Sequence, residues 1–283
     1  MADTAFQTMY RQEAIASFEQ HQSLLRDSVT TEAQIKGNAA VFLVAGSGDA
    51  DAVTRGVDGM IPARADDLTQ NTCTLSEWHD LVRKSGFNIF ASQGNQREIM
   101  QRTTMGVINR KIDNQIFTEL NTGTQDTGTT QTASLSLALR AKTILGNNKV
   151  PFDGSIWSAI TPAFEAYLLQ VAEFGSADYV TRKPVDSAET AYKDQPGFYR
   201  WLGINWVVHP ELPGIGTTAE KCFMYHKSAI GHAADKNGMQ TPVGYNDEQD
   251  YSFARASLYM GAKLLQNSGI VVMNHDGSAY VAE

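Results

Sequence analysis

The stretch from Gln34 to Lys84 constrains this chain more than any other, because it reads as two long extended arms with almost nothing of their own to pack on. An apolar run, Ala39 to Ala45, falls into Gly46-Ser47-Gly48-Asp49-Ala50-Asp51, where the density of glycine and aspartate favours a turn. Past Gly56, Gly59 and Pro62 the chain returns along Thr69 to Lys84, whose Thr, Trp and Val residues suit a pleated strand. Arms of roughly twenty residues at about 3.3 Å each reach on the order of 65 Å. The core of a 283-residue chain cannot cover such a hairpin, and bare strand edges invite association.

The clearest helix follows. Within Gly94 to Asn121, Met105, Ile108, Ile112, Ile116 and Leu120 recur at spacings of three and four and draw one apolar stripe, with Arg110, Asn114, Thr118 and Asn121 opposite. At 1.5 Å per residue the helix is about 42 Å long. The run Thr122 to Thr132, built of Thr, Gly and Gln, reads as a loop, and a second helix is expected from Ala133 to Leu145, closed by Gly146 and Asn147. Ile156 to Ile160 reads as a strand. Thr161 then offers an N-cap oxygen and Pro162 suits the first helical position, so a helix is expected from there to Phe174, stopped by Gly175. Further strands are expected at Trp201 to His209, Cys222 to Ile230, Tyr251 to Lys263 and Ile270 to Asn274. There is no internal repeat of fixed period, which excludes solenoids and propellers.

Composition narrows the function classes. The 23 Lys plus Arg and 31 Asp plus Glu give a net charge of −8, with the basic residues scattered. This argues against a surface given over to gripping nucleic acid, while leaving room for a local basic face. Met1 through Gln22 shows no basic region leading into an apolar run, so no secretory signal is read there, and no apolar stretch is long enough to span a membrane. Cys73 and Cys222 lie far apart and suggest neither a zinc site nor a disulfide framework; a reducing compartment is the default.

Catalytic signatures are weak. No His-Glu-x-x-His pair sets two ligands on one helical face, although His226 and His232 are close enough to meet across a turn. Gly214-Ile215-Gly216 lacks the third glycine of a nucleotide loop and reads as a turn. Cys73 sits in a Thr-rich strand with nothing to depress its pKa. Asp247, Glu248 and Asp250, like Asp49 and Asp51, read as solvated acidic loops rather than a Ca²⁺ site. No cofactor and no metal are expected.

The order of elements carries a resemblance: a projecting hairpin containing Thr-Leu-Ser-Glu-Trp-His-Asp (74 to 80), a long helix opening with Gln-Gly-Asn-Gln-Arg-Glu-Ile-Met (93 to 100), then Trp-Val-Val-His-Pro-Glu-Leu-Pro-Gly (206 to 214) and Phe-Met-Tyr-His-Lys-Ser-Ala-Ile-Gly (223 to 231) before a terminal strand pair. Over nearly its whole length the chain resembles the major capsid protein of tailed bacteriophages, an α+β chain with the HK97-like capsid fold. The resemblance implies an N-terminal arm at 1–33, an E-loop hairpin at 34–84 lying over a neighbouring subunit, a peripheral domain with the spine helix at 85–149, an axial domain at 150–234, and a return to the peripheral domain at 235–283. It also implies hexamers and pentamers in an icosahedral shell that encloses double-stranded DNA without sequence-specific binding and without a membrane. Separate scaffolding, portal and decoration proteins are possible partners, and the expected setting is the virion, assembled in the host cytoplasm.

Subunit contacts are expected at Gly46, Asp49, Arg55, Trp78, Arg102 and Arg110. Arg11, Arg26, Arg97 and Lys111 are likewise expected to pair with acidic neighbours rather than grip phosphate. The E-loop lysine that forms an isopeptide bond in some relatives has no counterpart at the tip, where the nearest lysine is Lys36. With about thirty residues before the hairpin, the chain is expected to be already processed or to rely on a separate scaffold. The alternatives are an encapsulin-type nanocompartment shell, which shares the fold but packages enzymes, and a soluble enzyme with its site in the 150–234 block.

Overall fold

The computed structural model describes residues 22–31, 34–47, 50–64, 67–91, 96–171, 198–235 and 237–280. They divide into two compact units. One takes in Glu77–Lys111 and Asp235–Tyr259 together with the end of Met1–Ser23; the other takes in Leu24–Ser76, Ile112–Ala234 and Met260–Glu283.

The hairpin is shorter than its sequence suggests. β1 (Gln34–Lys36) and β2 (Ala39–Gly46) pair antiparallel, and β2 pairs with β3 (Asp67–Thr74) in a ladder running from Ala39↔Thr74 to Gly46↔Asp67. The return is therefore two strands rather than one, because pairing with β2 stops at Thr74 and the remainder, β4 (Ser76–Ser85), joins a different sheet. The paired arms are eight residues each, on the order of 27 Å, rather than twenty.

In the unit containing β4, helix α1 (Gly86–Ala91) precedes the first part of α2 (Gln96–Leu120), the expected spine helix. β10 (Val243–Asn246) pairs antiparallel with the start of β11 (Tyr251–Leu264), and β4 lies on the other side of β11. β11 alternates along its first half, with Ser252, Ala254 and Ala256 buried between more open Tyr251, Phe253 and Arg255, as one-sided packing of a sheet requires.

The buried line of α2 differs from the expected stripe at one end. Ile108, Ile112, Ile116 and Leu120 are buried as read, but Met105 is 39% exposed, and the line continues instead through Thr104 and Met100 at steps of four. Thr104 is tolerated there because its hydroxyl donates to the Gln101 carbonyl of its own helix, 2.9 Å away, so no polar atom is stranded.

The larger unit is built on a five-stranded sheet ordered β12-β8-β5-β7-β6: β5 (Ile156–Ile160), β6 (Phe198–Trp201), β7 (Ile204–Val208), β8 (Glu220–His226) and β12 (Ile270–His275). Central β5 is buried throughout and is parallel to β7 and antiparallel to β8. Helices α3 (Leu135–Asn147) and α4 (Pro162–Leu169) bury Leu137, Ala141, Leu145, Phe164 and Leu168 against it, together with Trp206, Cys222 and Met273.

Both helices start as their residues dictate. The Ser134 hydroxyl accepts from the Leu137 amide, Thr161 accepts from that of Phe164, and Pro162 fills the first turn where no amide hydrogen is needed. α4 ends at Leu169, five residues before the expected stop at Phe174, which lies outside the described residues. The expected loop at 122–132 is a loop, but an ordered one: it runs beside β12, with Thr127 N–H on the Val272 carbonyl and Val272 N–H on that of Gln125, so this sheet edge is covered.

Two further single-strand expectations become two elements each. Trp201 to His209 contains a tight turn at Leu202-Gly203, both with positive φ, between paired Trp201 and Ile204. Cys222 to Ile230 is broken by a 3-10 turn, Lys227–Ala229, capped by the His226 ring; the chain then enters β9 (Ile230–Ala234), which pairs with the second half of β11.

A buried carboxylate joins three distant parts of this unit. Asp113 on α2 is fully buried; its two oxygens accept from the Leu24 and Leu25 amides at 3.0 and 3.1 Å, and His209, just past β7, stands 3.1 Å away. Asp113 thus holds the two residues just before the short turn Arg26–Ser28, whose Ser28 hydroxyl meets that of Tyr225 at 2.6 Å. Beside it, His232 is buried and its titration is pushed down to about 4, chiefly by burial and then by the Arg26 charge, with Asp113 pulling the other way.

Two outcomes follow for stability. Asp113→Ala strands two amides and a histidine and is expected to cost about 3 kcal/mol in urea unfolding, with Asp113→Asn intermediate. His232 takes up its proton in the unfolded chain near pH 6.5 but in the folded one only near 4. The unfolded state therefore binds more protons in that window, and stability is full above about pH 6.5 and falls on acidification, by on the order of 3 kcal/mol at pH 4. Urea midpoints across this range should slope in the parent and flatten in His232→Gln.

Candidate functional site

The sequence promises no catalytic centre, so the buried polar clusters test whether one is nevertheless assembled. Glu220 at the head of β8 accepts from the Thr161 hydroxyl at 2.6 Å and from the Gly216 amide at 2.7 Å, with His275 Nε2 at 3.7 Å. All of these side chains are sealed from solvent and no substrate reaches them. Burial holds His275 below the usual imidazole range and pushes the Cys222 thiol up to about 12, the opposite of what a nucleophile needs. The glycines of Gly214-Ile215-Gly216 form a turn, as read, and it is tied down by Glu220.

His226 and His232 do not form a pair. His226 is held by Asp153 at 3.2 Å and by Ser228, whereas His232 faces the Asp113 region. A cavity of about 80 Å³ beside Lys149, His226 and Gln266 is well below the size of a substrate pocket. The acidic turn after β10 is closed internally, with Tyr245 donating to Asp250. Burial also pushes the Cys73 thiol up, in keeping with the reading of an inert side chain.

The surface is a different matter. In the hairpin, only the root is buried: Ala40, Phe42 and Cys73 pack inward, while Leu43 and Leu68, further out on one face, are exposed. From Ala50 to Arg64 every residue is exposed, including Val53 (63%), Met60 (75%), Ile61 (66%) and Val57. Two hydrogen bonds, Gly59 N–H to the Gly56 carbonyl and Gly56 N–H to that of Met60, fold 56–60 into a turn that presents Val57 at its apex. Large apolar side chains exposed together on one excursion are uncommon on the surface of a monomeric protein.

The expected contact residues are distributed as follows. Gly46 is the last residue of β2, opposite Asp67, and is exposed; Arg55 is exposed in the tip; Asp49 lies outside the described residues. Trp78 on β4 is half-buried under the Lys111 ammonium, which lies 4.1 Å from the ring centroid. Arg102 on α2 is exposed, whereas Arg110 is partly buried near Asp80, whose carboxyl is raised by burial against the pull of the Leu81 amide and the Arg110 charge. Arg11 lies outside the described residues, and the charge of Arg26 is felt at His232, whose titration it lowers.

Comparison with known proteins decides the family. A family described as phage capsid protein matches residues 2–277. The chain belongs to the phage capsid protein family. Among curated proteins none matches. Solved structures similar to this capsid protein include one from Mycobacterium phage Che8 (17% identity, TM-score 0.72, covering 97% of this chain and 98% of that one). The capsid of cyanophage P-SCSP1u (13%, 0.71, 96% and 93%) and that of Ralstonia phage GP4 (11%, 0.69, 97% and 96%) are similar too.

At such identities it is the fold that is shared, and it is the HK97-like capsid fold. The capsid protein is a structural shell subunit; the nanocompartment and enzyme alternatives are not favoured. Among its described residues no helix is long and apolar enough to cross a membrane.

Because Val57 and Met60 are exposed in the tip, Val57→Ser with Met60→Ser is expected to leave the unfolding free energy of the free subunit, measured in urea, within about 0.5 kcal/mol of the parent.

Proposed function

We propose that the hairpin of residues 34–74 is the E-loop of this capsid subunit and that its tip, residues 50–64, completes its apolar packing on a second copy of the chain. The observation that carries this is the exposure of Val53, Val57, Met60 and Ile61 on one excursion. A shell repeats each contact many times, so an interface of a few kcal/mol per copy suffices for a stable particle. Arg55 within the tip and Arg102 on the spine helix are the charged contacts in this reading, and Gly46 marks where the paired ladder gives way to the tip.

The assembled shell, built of hexamers and pentamers, encloses double-stranded DNA in the virion. The net charge of −8 supports a container wall that limits adhesion to packaged DNA, with no sequence-specific contact. The subunit carries no catalysis of its own, and assembly in the host cytoplasm with a separate scaffolding protein, portal and decoration proteins is consistent with this role.

Replacing residues 50–64 by a short Gly-Ser linker tests the reading. With any required scaffold supplied, the parent is expected to sediment as closed particles visible by negative-stain microscopy, and the replacement to remain as folded small oligomers. Normal shells from the replacement would overturn the role given to the tip.

A further inference from the structure

Asn237-Gly238 is the one Asn-Gly pair in the sequence, and the fold sets it in an exposed turn. The chain leaves β9 at Ala234, and the Gly238 N–H donates back to the Asp235 carbonyl at 2.9 Å. Gly238 takes a φ of +68°, and a Cβ there would meet nothing within 4 Å. The Asn237 side chain is exposed, and its amide nitrogen donates to the Asp235 carboxylate at 3.2 Å. The turn fills the stretch of β11 between its pairing with β10, which begins at Ala254, and with β9, which ends at Met260. It is tied there on both sides: the Asp235 N–H donates to the Tyr259 carbonyl at 2.9 Å, and Gln240 and Ser257 exchange hydrogen bonds at 3.0 and 2.9 Å.

An asparagine followed by glycine is open to attack by its own backbone. The nitrogen of the next residue, once it has given its proton to water, adds to the side-chain Cγ. The Cγ–Nδ2 bond breaks, the released nitrogen takes up a proton and leaves as ammonia, and the pair is closed into a succinimide. Water then opens the ring at either carbonyl, leaving aspartate or isoaspartate. Glycine favours the attack because no Cβ shields its nitrogen and its backbone turns freely into the geometry required. In this turn Asp235 opposes the reaction twice. Its carbonyl holds the attacking N–H, while its carboxylate holds the leaving nitrogen and disfavours the negative charge that builds on the amide under attack.

We propose that Asn237 is a site of spontaneous deamidation in this subunit, restrained but not prevented by Asp235. The modification changes the turn in two ways. A carboxylate replaces a neutral amide beside Asp235, so like charges face each other where a hydrogen bond stood. The isoaspartyl product also routes the backbone through the side chain, adding a methylene between residues tied to Tyr259 and to Ser257. The turn cannot take up the longer backbone with both ties kept, so its hold on β11 loosens as the protein ages. The chemistry is a property of the free subunit and does not rest on the assembly reading.

The test is storage of the folded free subunit in mildly alkaline buffer, followed by peptide mapping with mass spectrometry and enzymatic methylation of isoaspartate. Asn237 is expected to convert at least about tenfold faster than any other asparagine, to a mixture of aspartate and isoaspartate. Gly238→Ala is expected to slow the conversion about tenfold. Asp235→Ala frees the Asn237 side chain while keeping the main-chain acceptor, and is expected to speed it about threefold or more. In the aged parent the Gln240 and Ser257 amide hydrogens are expected to exchange faster than in the fresh protein. An Asn237 that converts no faster than the other asparagines, a Gly238→Ala variant as fast as the parent, an Asp235→Ala variant no faster than the parent, or unchanged exchange after conversion would overturn the proposal.

Discussion

A carboxylate taken wholly out of water has to be met by donors, and in this subunit Asp113 meets them from segments 88 and 89 residues before it and 96 residues after it. Its oxygens hold the Leu24 and Leu25 amides, and His209 closes the third side. The consequence is geometric. The chain that enters the hairpin through Arg26–Ser28 is fixed to the spine helix before β1 begins, and Ser28 and Thr30 fasten it again to Tyr225 and to the start of β9. The hairpin can project because its lead-in is anchored by a group that costs several kcal/mol to leave unpaired.

Much of this architecture is legible in local chemistry. Thr161-Pro162 announces a helix start because cap and first turn are satisfied by adjacent residues, and β11 and β12 are legible because their patterns are uninterrupted. What misleads is pairing, which a linear reading does not contain. Leu202 takes a positive φ, unusual for a leucine, so the two-residue turn beside Gly203 looks like the middle of a strand. Leu75 looks like strand as much as its neighbours do, and nothing local says that Thr74 pairs with β2 while Ser76 starts a strand beside β11.

The same limit hides the buried charges. Asp113 sits one residue from Ile112 on a helix whose polar side is expected to face solvent, and Glu220 opens a strand among ordinary turn residues. Neither shows any motif; each becomes significant only through its partners. The tip stands at the other extreme. Its turn-rich stretch is legible as the end of a hairpin, but the exposure of Val53, Val57, Met60 and Ile61 along it is not, and its strands are less than half the expected length.

Among the described residues of the larger unit, the apolar cluster around the five-stranded sheet and the one at the root of the hairpin can be told apart. The first gathers Trp206 and Phe164 with residues of both helices, while the second packs Phe42 and Cys73 at the root of the hairpin. Glycine at 231 and 261 makes the second possible: a Cβ at either would collide with the Phe42 ring or the Cys73 sulfur, so ring and thiol reach the strands by close contact alone.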